Sequence, residues 1–157
     1  MMNSILNHIN EKRAHLISYE TFSYQLLNCD LDEVNNILDQ RELIIKSINY
    51  VDQVINNMID QSDYRNQLYL CKNKSIHRFE VINELKDIYD GFESIHDSLK
   101  SIQKLEVKVI ERLNNLKEEL HNNLVQVENV SKIKKYFETY ETEMQDMTQM
   151  MRRSTKI

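Results

Sequence analysis

Apolar residues recur at steps of three and four along almost the whole chain, the spacing that puts them on one face of an amphipathic helix. Between Ser4 and Leu27 the residues Ile5, Ile9, Leu16, Tyr19 and Leu26 fall on one stripe, with Phe22 beside it. Asn28 and Cys29 then lead into Asp30, whose carboxylate suits an N-cap, and Asp32 and Glu33 place negative charge against the positive end of the next helix dipole. Asp30-Leu31-Asp32 therefore reads as a cap rather than a metal or phosphate ligand. The next run carries Leu31, Val34, Leu38, Ile45, Ile48, Ile55 and Ile59, with Ile37, Ile44, Val51 and Met58 in a second stripe beside the first. Such a wide apolar face suits a helix that touches two neighbours. The pattern predicts helix one over 4–29 and helix two over 30–60, antiparallel because the break between them is short. The polar run Asp60 to Asp63 supplies the next turn.

The third segment is the most regular. Val81, Leu85, Ile88, Phe92, Ile95, Leu99, Ile102, Glu106, Val109, Leu113, Leu116 and Leu120 alternate by three and four, and Glu106 alone among them is not apolar. This is a sustained heptad seam. The register runs through Gly91 without slipping, which places that glycine inside a helix as a weak point or a place of close approach. Ile76, Phe79, Ile82 and Tyr89 widen the face at its start. After Leu120 the register fails, and a second alternation, Ile133, Phe137, Tyr140, Met144, Met147 and Met151, runs out of phase with the first. Asn122, Asn123, Asn129 and Ser131 lie between, and their competition with the helical backbone favours a turn over a continuous helix with a stutter. The expectation is a long helix over 63–125, interrupted or not, and a C-terminal amphipathic helix over 131–153. An unbroken helix from Ile76 to Met151 would exceed ~110 Å, against roughly 40 Å for each arm of the hairpin. The surplus seam would have to fold back, pair with a second copy or receive a partner.

Composition agrees with this picture. The chain has 157 residues, no proline and one glycine, so little in it stops a helix. The fold class read from these features is all-α, an elongated antiparallel helical bundle with long coiled-coil-like helices, forming a single domain over 1–157. With 25 acidic against 20 basic residues the formal net charge is −5, which argues against a general nucleic-acid interface. No run has signal-peptide character or approaches the ~20 apolar residues of a membrane span, so a cytoplasmic location is expected. Cys29 and Cys71 form no metal-ligand spacing and read as reduced, structural thiols.

Candidate chemistry is thin. Glu93-Ser-Ile-His96 and Glu118-Glu-Leu-His121 share the Glu-x-x-His spacing of di-iron bundles. A helix would separate them by ~37 Å, so they would not share a metal within one copy. His8, His15 and His77 have no nucleophile arranged beside them, and one glycine builds no phosphate loop. No cofactor, no metal and no enzymatic activity are expected. The better candidate is the methionine-rich end: Phe137, Tyr140, Met144, Met147, Met150 and Met151 form an adaptable apolar face suited to a partner helix. The seam Leu85, Ile88, Phe92, Ile95, Leu99, Ile102, Val109, Leu113, Leu116 and Leu120 is read as a bundle seam or a self-pairing surface.

Leu26-Leu27, the Asp30-Leu31-Asp32 cap, Val34, Ile37-Leu38, Arg41-Glu42, Ile44-Ile45 and Ile48 resemble the hairpin of the flagellar type III export chaperones of the FlgN and FliT kind. The resemblance covers residues 26–48, about a seventh of the chain. It implies a small, acidic, cytoplasmic, all-helical chaperone, without enzymatic activity, that holds an amphipathic helix of an unassembled secreted flagellar subunit before export. The partner it implies is such a client, engaged through the C-terminal helical region. The alternative read from the residues is a structural coiled-coil protein that homodimerises through 81–120.

Overall fold

The computed structural model describes the backbone of residues 1–154 and the side chains of residues 1–135, 138, 139, 141, 142 and 145. The fold is all-α, with no strand among the described residues. Helix α1 spans Met2–Asn28 and α2 spans Leu31–Asp60; a short α3, Arg65–Lys72, and two single 3-10 turns, Arg78–Glu80 and Asn83–Leu85, lead into α4, Lys86–Ser154. The chain divides into two units, Met1–Arg112 and Leu113–Ile157.

Within the first unit the hairpin forms where the sequence placed it. Asp30 and Glu33 make a capping box, the Asp30 amide donating to Glu33 Oε2 at 3.4 Å, which satisfies donors the helix itself leaves free. The core draws Ile5, Ile9 and Leu16 from α1 and Val51, Ile55 and Ile59 from α2. To these it adds Leu68 and Cys71 from α3 and Leu85, Ile88, Phe92, Ile95 and Ile102 from the second 3-10 turn and α4. Not every residue of the α2 stripes goes inside: Leu31 and Ile45 are exposed, because a face shared between two neighbours leaves its flanks in water.

The segment after α2 takes one of the two forms expected. A long helix over 63–125, interrupted or not, was expected, and it is interrupted: α3 stops at Lys72 and α4 starts only at Lys86. The stop is a Schellman motif: Ser75 N–H donates to Leu70 O at 2.9 Å and Lys74 N–H to Cys71 O at 3.2 Å, with Lys74 at φ 55°. Glycine ordinarily marks that left-handed position, and a lysine there hides the stop from a reader looking for glycine. His77 and Glu80 cap the first 3-10 turn, the His77 amide donating to Glu80 Oε2 at 2.9 Å. Phe79, expected on a helix face, is instead 84% exposed and stacks on His77 with ring centroids 5.6 Å apart. Lys74→Gly should raise stability to denaturant by about 0.5–1 kcal/mol, since relief of the left-handed strain outweighs the exposed Lys74–Glu93 pair. Lys74→Ala, which keeps the strain and loses the pair, should give no such gain.

A second correction concerns residues 121–131. Instead of turning, α4 runs helical through them. Leu124, Val127 and Val130 continue the apolar series from Leu120 to Ile133 in steps of four, three, three and three, so the two out-of-phase seams are one stripe that shifts around one helix. Asparagine disfavours a helix interior by only about 0.7 kcal/mol, far less than the proline or glycine that would force an end.

Along α4 the column Ile88, Ile95, Ile102 and Val109 is buried at strict seven-residue spacing. Its flank changes side: Leu85 and Phe92 accompany it at first, then Leu105, which the seam reading had passed over in favour of Glu106. Leu99 is correspondingly at the edge, 36% exposed. Gly91 is inside the helix at a close approach, where a Cβ would lie 2.7 Å from Ile9 Cγ2.

Candidate functional site

Polar residues occupy several apolar-stripe positions, and the strongest cluster joins three helices. On α1 the stripe Ile5, Ile9, Leu16 and Leu26 is completed at its own spacing by Lys12, Tyr19 and Ser23. Arg41 of α2 is buried and donates through Nη2 to Tyr19 Oη and to Glu106 Oε1 of α4, each at 2.5 Å. Its guanidinium also lies 4.5 Å over the Tyr19 ring, a cation–π contact strengthened by exclusion of water. Ser23 Oγ sits 3.2 Å from the same Glu106 oxygen and 2.9 Å from the Tyr19 carbonyl. Burial raises the Tyr19 hydroxyl above its ordinary pKa; Arg41 opposes the shift and Glu106 adds to it. The cluster fastens α1, α2 and α4 in one register. Glu106 was visible in the sequence as the single break in the seam, whereas Arg41, Tyr19 and Ser23 were not connected to it. The signal that could have found them is a polar residue at a stripe position on each of the three helices.

A second cluster ties α1, α2 and α3 together. Lys12 Nζ reaches both Asp52 carboxylate oxygens at 2.7 Å, and Lys72 donates to Asn56 Oδ1. Burial lowers the Lys72 pKa; nearby Asp52 opposes this shift and Lys12 reinforces it.

The Glu-x-x-His pair in the first unit is committed to local structure. Glu93 pairs with Lys74 at 3.0 Å, and His96 Nε2 lies 2.8 Å from the Lys72 carbonyl at the end of α3. Glu118 and His121 are exposed on α4. Among the described residues no three His, Cys, Asp or Glu side chains come together as a metal site. His8 and His15 both face Glu11, at 2.9 and 4.0 Å. Cys29 and Cys71 are free and buried, and burial pushes the Cys71 thiol up, away from the reactive thiolate.

The seam residues Leu85, Ile88, Phe92, Ile95, Ile102 and Val109 are covered within their own chain. Their burial leaves little of that apolar surface open in the single chain. Leu116 is also buried and Leu113 half-buried, while Leu120 is 41% exposed.

Among the described residues past Leu116, the apolar side chains stand in water. Leu124, Val127, Val130 and Ile133 are 63, 66, 65 and 57% exposed. Large apolar groups this exposed at helical spacing are the feature of this structure that most resembles a binding surface. At 100° per residue the three steps of three carry the stripe about 180° around α4 between Leu124 and Ile133. Lys117, Glu118 and Glu119 flank it on one side in sequence and Lys132, Lys134 and Lys135 on the other. Phe137, Tyr140, Met144, Met147, Met150 and Met151, the expected partner-binding face, belong to the α4 backbone, but their side chains lie outside the described residues.

The class that fold and surface define is an all-α helical bundle carrying an exposed apolar helix stripe. No family model, curated protein or solved structure matches the chain. Among the described residues, no helix is long and apolar enough to cross a membrane.

Proposed function

We propose that this chain is a non-enzymatic adaptor of the chaperone kind, receiving an amphipathic helix of an unassembled client on the stripe of α4. The observation that carries the reading is the run Leu124, Val127, Val130 and Ile133, each more than half exposed within ten residues of one helix. Adjacent members of the run lie about 60° apart around α4, so a client helix crossing it can cover Leu124 and Val127 together and remove them from water on both partners, and the charged residues at the run's ends would restrict register. The hairpin's resemblance to flagellar export chaperones supports a secreted flagellar subunit as the client and the cytoplasm as the place of encounter. Hook-associated and filament-cap proteins are the first clients to try.

The test uses immobilised peptides carrying the terminal helices of a hook-associated and a filament-cap protein. Capture of the full chain is expected, and Leu124→Asp with Val127→Asp should abolish it. Both side chains are exposed, so helical content and stability should stay within about 0.5 kcal/mol of the parent. Undiminished capture by the folded double variant would contradict the reading.

A further inference from the structure

We propose that α3 is a detachable strap: Arg65–Lys72 leaves its seat and returns to it while the rest of the first unit stays folded. Its attachment is small. Of its eight residues only Leu68 and Cys71 are buried, and a helix of that length does not hold its shape alone in water. Arg65 and Tyr69 reach Asp60 at 3.1 and 3.0 Å, but both contacts are exposed and hold weakly. Non-helical backbone borders α3 on both sides, at 61–64 and at 73–77, so its departure bends no other helix.

Three unfavourable features lie together between Gln67 and Lys74. Gln67 Oε1 is buried and has no hydrogen-bond partner among the described residues, so it forgoes the water it would bind in an open chain. Lys72 is half-buried, and its ammonium has the neutral Asn56 amide as its acceptor, because both oxygens of the nearby Asp52 carboxylate are held by Lys12 Nζ at 2.7 Å. Burial, opposed by Asp52 and aided by Lys12, holds the Lys72 pKa below the ordinary lysine value, which marks a cation kept from water at a cost. Lys74 carries the left-handed φ of 55° at the stop. Each of the three is relieved when α3 leaves: Gln67 and Lys72 regain water, and Lys74 regains an ordinary φ. Against them stand Leu68, Cys71 and the His96 ring, whose Nε2 lies 2.8 Å from the Lys72 carbonyl. Conflicts gathered in one short element with few buried side chains mark a unit that opens by itself. The inference lies wholly within the first unit and holds whatever binds the α4 stripe.

Cys71 reports the opening, since it is 1% exposed when the strap is seated. The full chain is alkylated with N-ethylmaleimide in native buffer, and the rate at Cys71, located by peptide mass mapping, is divided by its rate in the urea-unfolded chain. That ratio gives the open fraction. It should exceed the globally unfolded fraction from urea titration by about a thousandfold and stay flat at low urea, because little surface is uncovered. Lys74→Gly should slow the labelling about threefold, since relief of the left-handed strain acts on the seated state. Glu106→Ala, which weakens the unit as a whole from a distant cluster, should leave the Cys71 rate within about twofold. A Cys71 rate equal to that of global unfolding overturns the proposal. So does acceleration by Glu106→Ala in step with its loss of stability.

Discussion

Glu106→Ala is expected to destabilise the first unit by about 3 kcal/mol, read as a drop in denaturation midpoint at unchanged slope. Removing one member of a buried ion pair leaves the other charged, desolvated and unpaired, which typically costs about 3–5 kcal/mol. The lower end applies because the Glu106 side chain retains 28% exposure whereas that of Arg41 retains 8%. Arg41 has nowhere else to turn: its Nη2 serves Tyr19 and Glu106, and its Nε is buried without a partner. Replacing both charges by apolar groups, Arg41→Leu with Glu106→Leu, should therefore cost much less than Glu106→Ala alone. The purpose of the cluster is register: it is the polar point on an otherwise apolar seam that distinguishes one sliding position of α4 from the next. A loss below about 0.5 kcal/mol for Glu106→Ala would mean that the cluster contributes neither stability nor register.

Gly91→Ala should also destabilise, by about 1–2 kcal/mol, although alanine is the better helix former by about 1 kcal/mol. The added Cβ would sit 2.7 Å from Ile9 Cγ2, and Ile9 is wholly buried with a branched side chain that has no room to rotate away. Gly91→Leu extends the same clash and should cost about 3 kcal/mol. The mechanism predicts non-additivity. Ile9→Ala alone opens a cavity and should cost about 2–4 kcal/mol, whereas Ile9→Ala with Gly91→Ala should cost less than the sum, since the new methyl occupies part of the space. Additive losses in urea titrations would remove the close-approach account.

These two sites show what a sequence conveys and what it withholds. The hairpin was legible because its signals are local: Asp30 and Glu33 cap α2 within one turn, and the stripes from Ile5 to Leu26 and from Val34 to Ile59 have helical period. Gly91 was legible as an interior glycine because the seam keeps register on both sides. The stop after Lys72 was not, because the left-handed position is held by Lys74, and only the backbone reveals the conformation. Residues 121–131 misled in the opposite sense: Asn122, Asn123 and Asn129 weaken a helix without ending it, and Leu124, Val127 and Val130 carry the apolar stripe across. The Arg41–Tyr19–Ser23–Glu106 cluster needed the relative placement of three helices, which periodicity on each helix alone does not supply. Burial of the seam through Val109 followed the same rule. The seam's existence was local, but its cover was a tertiary fact that shifted interest from 81–120 to the exposed residues beyond Leu116.

The central claim is that the α4 stripe buries itself against a client helix, and calorimetric titration of the full chain with the filament-cap terminal-helix peptide at several temperatures tests it most directly. The account predicts saturable binding of one peptide per chain, with a negative heat-capacity change that marks apolar burial and with both features lost in Leu124→Asp with Val127→Asp. Absence of saturable heat across the temperature series, with the hook-associated peptide equally silent and the chain fully helical, would contradict it.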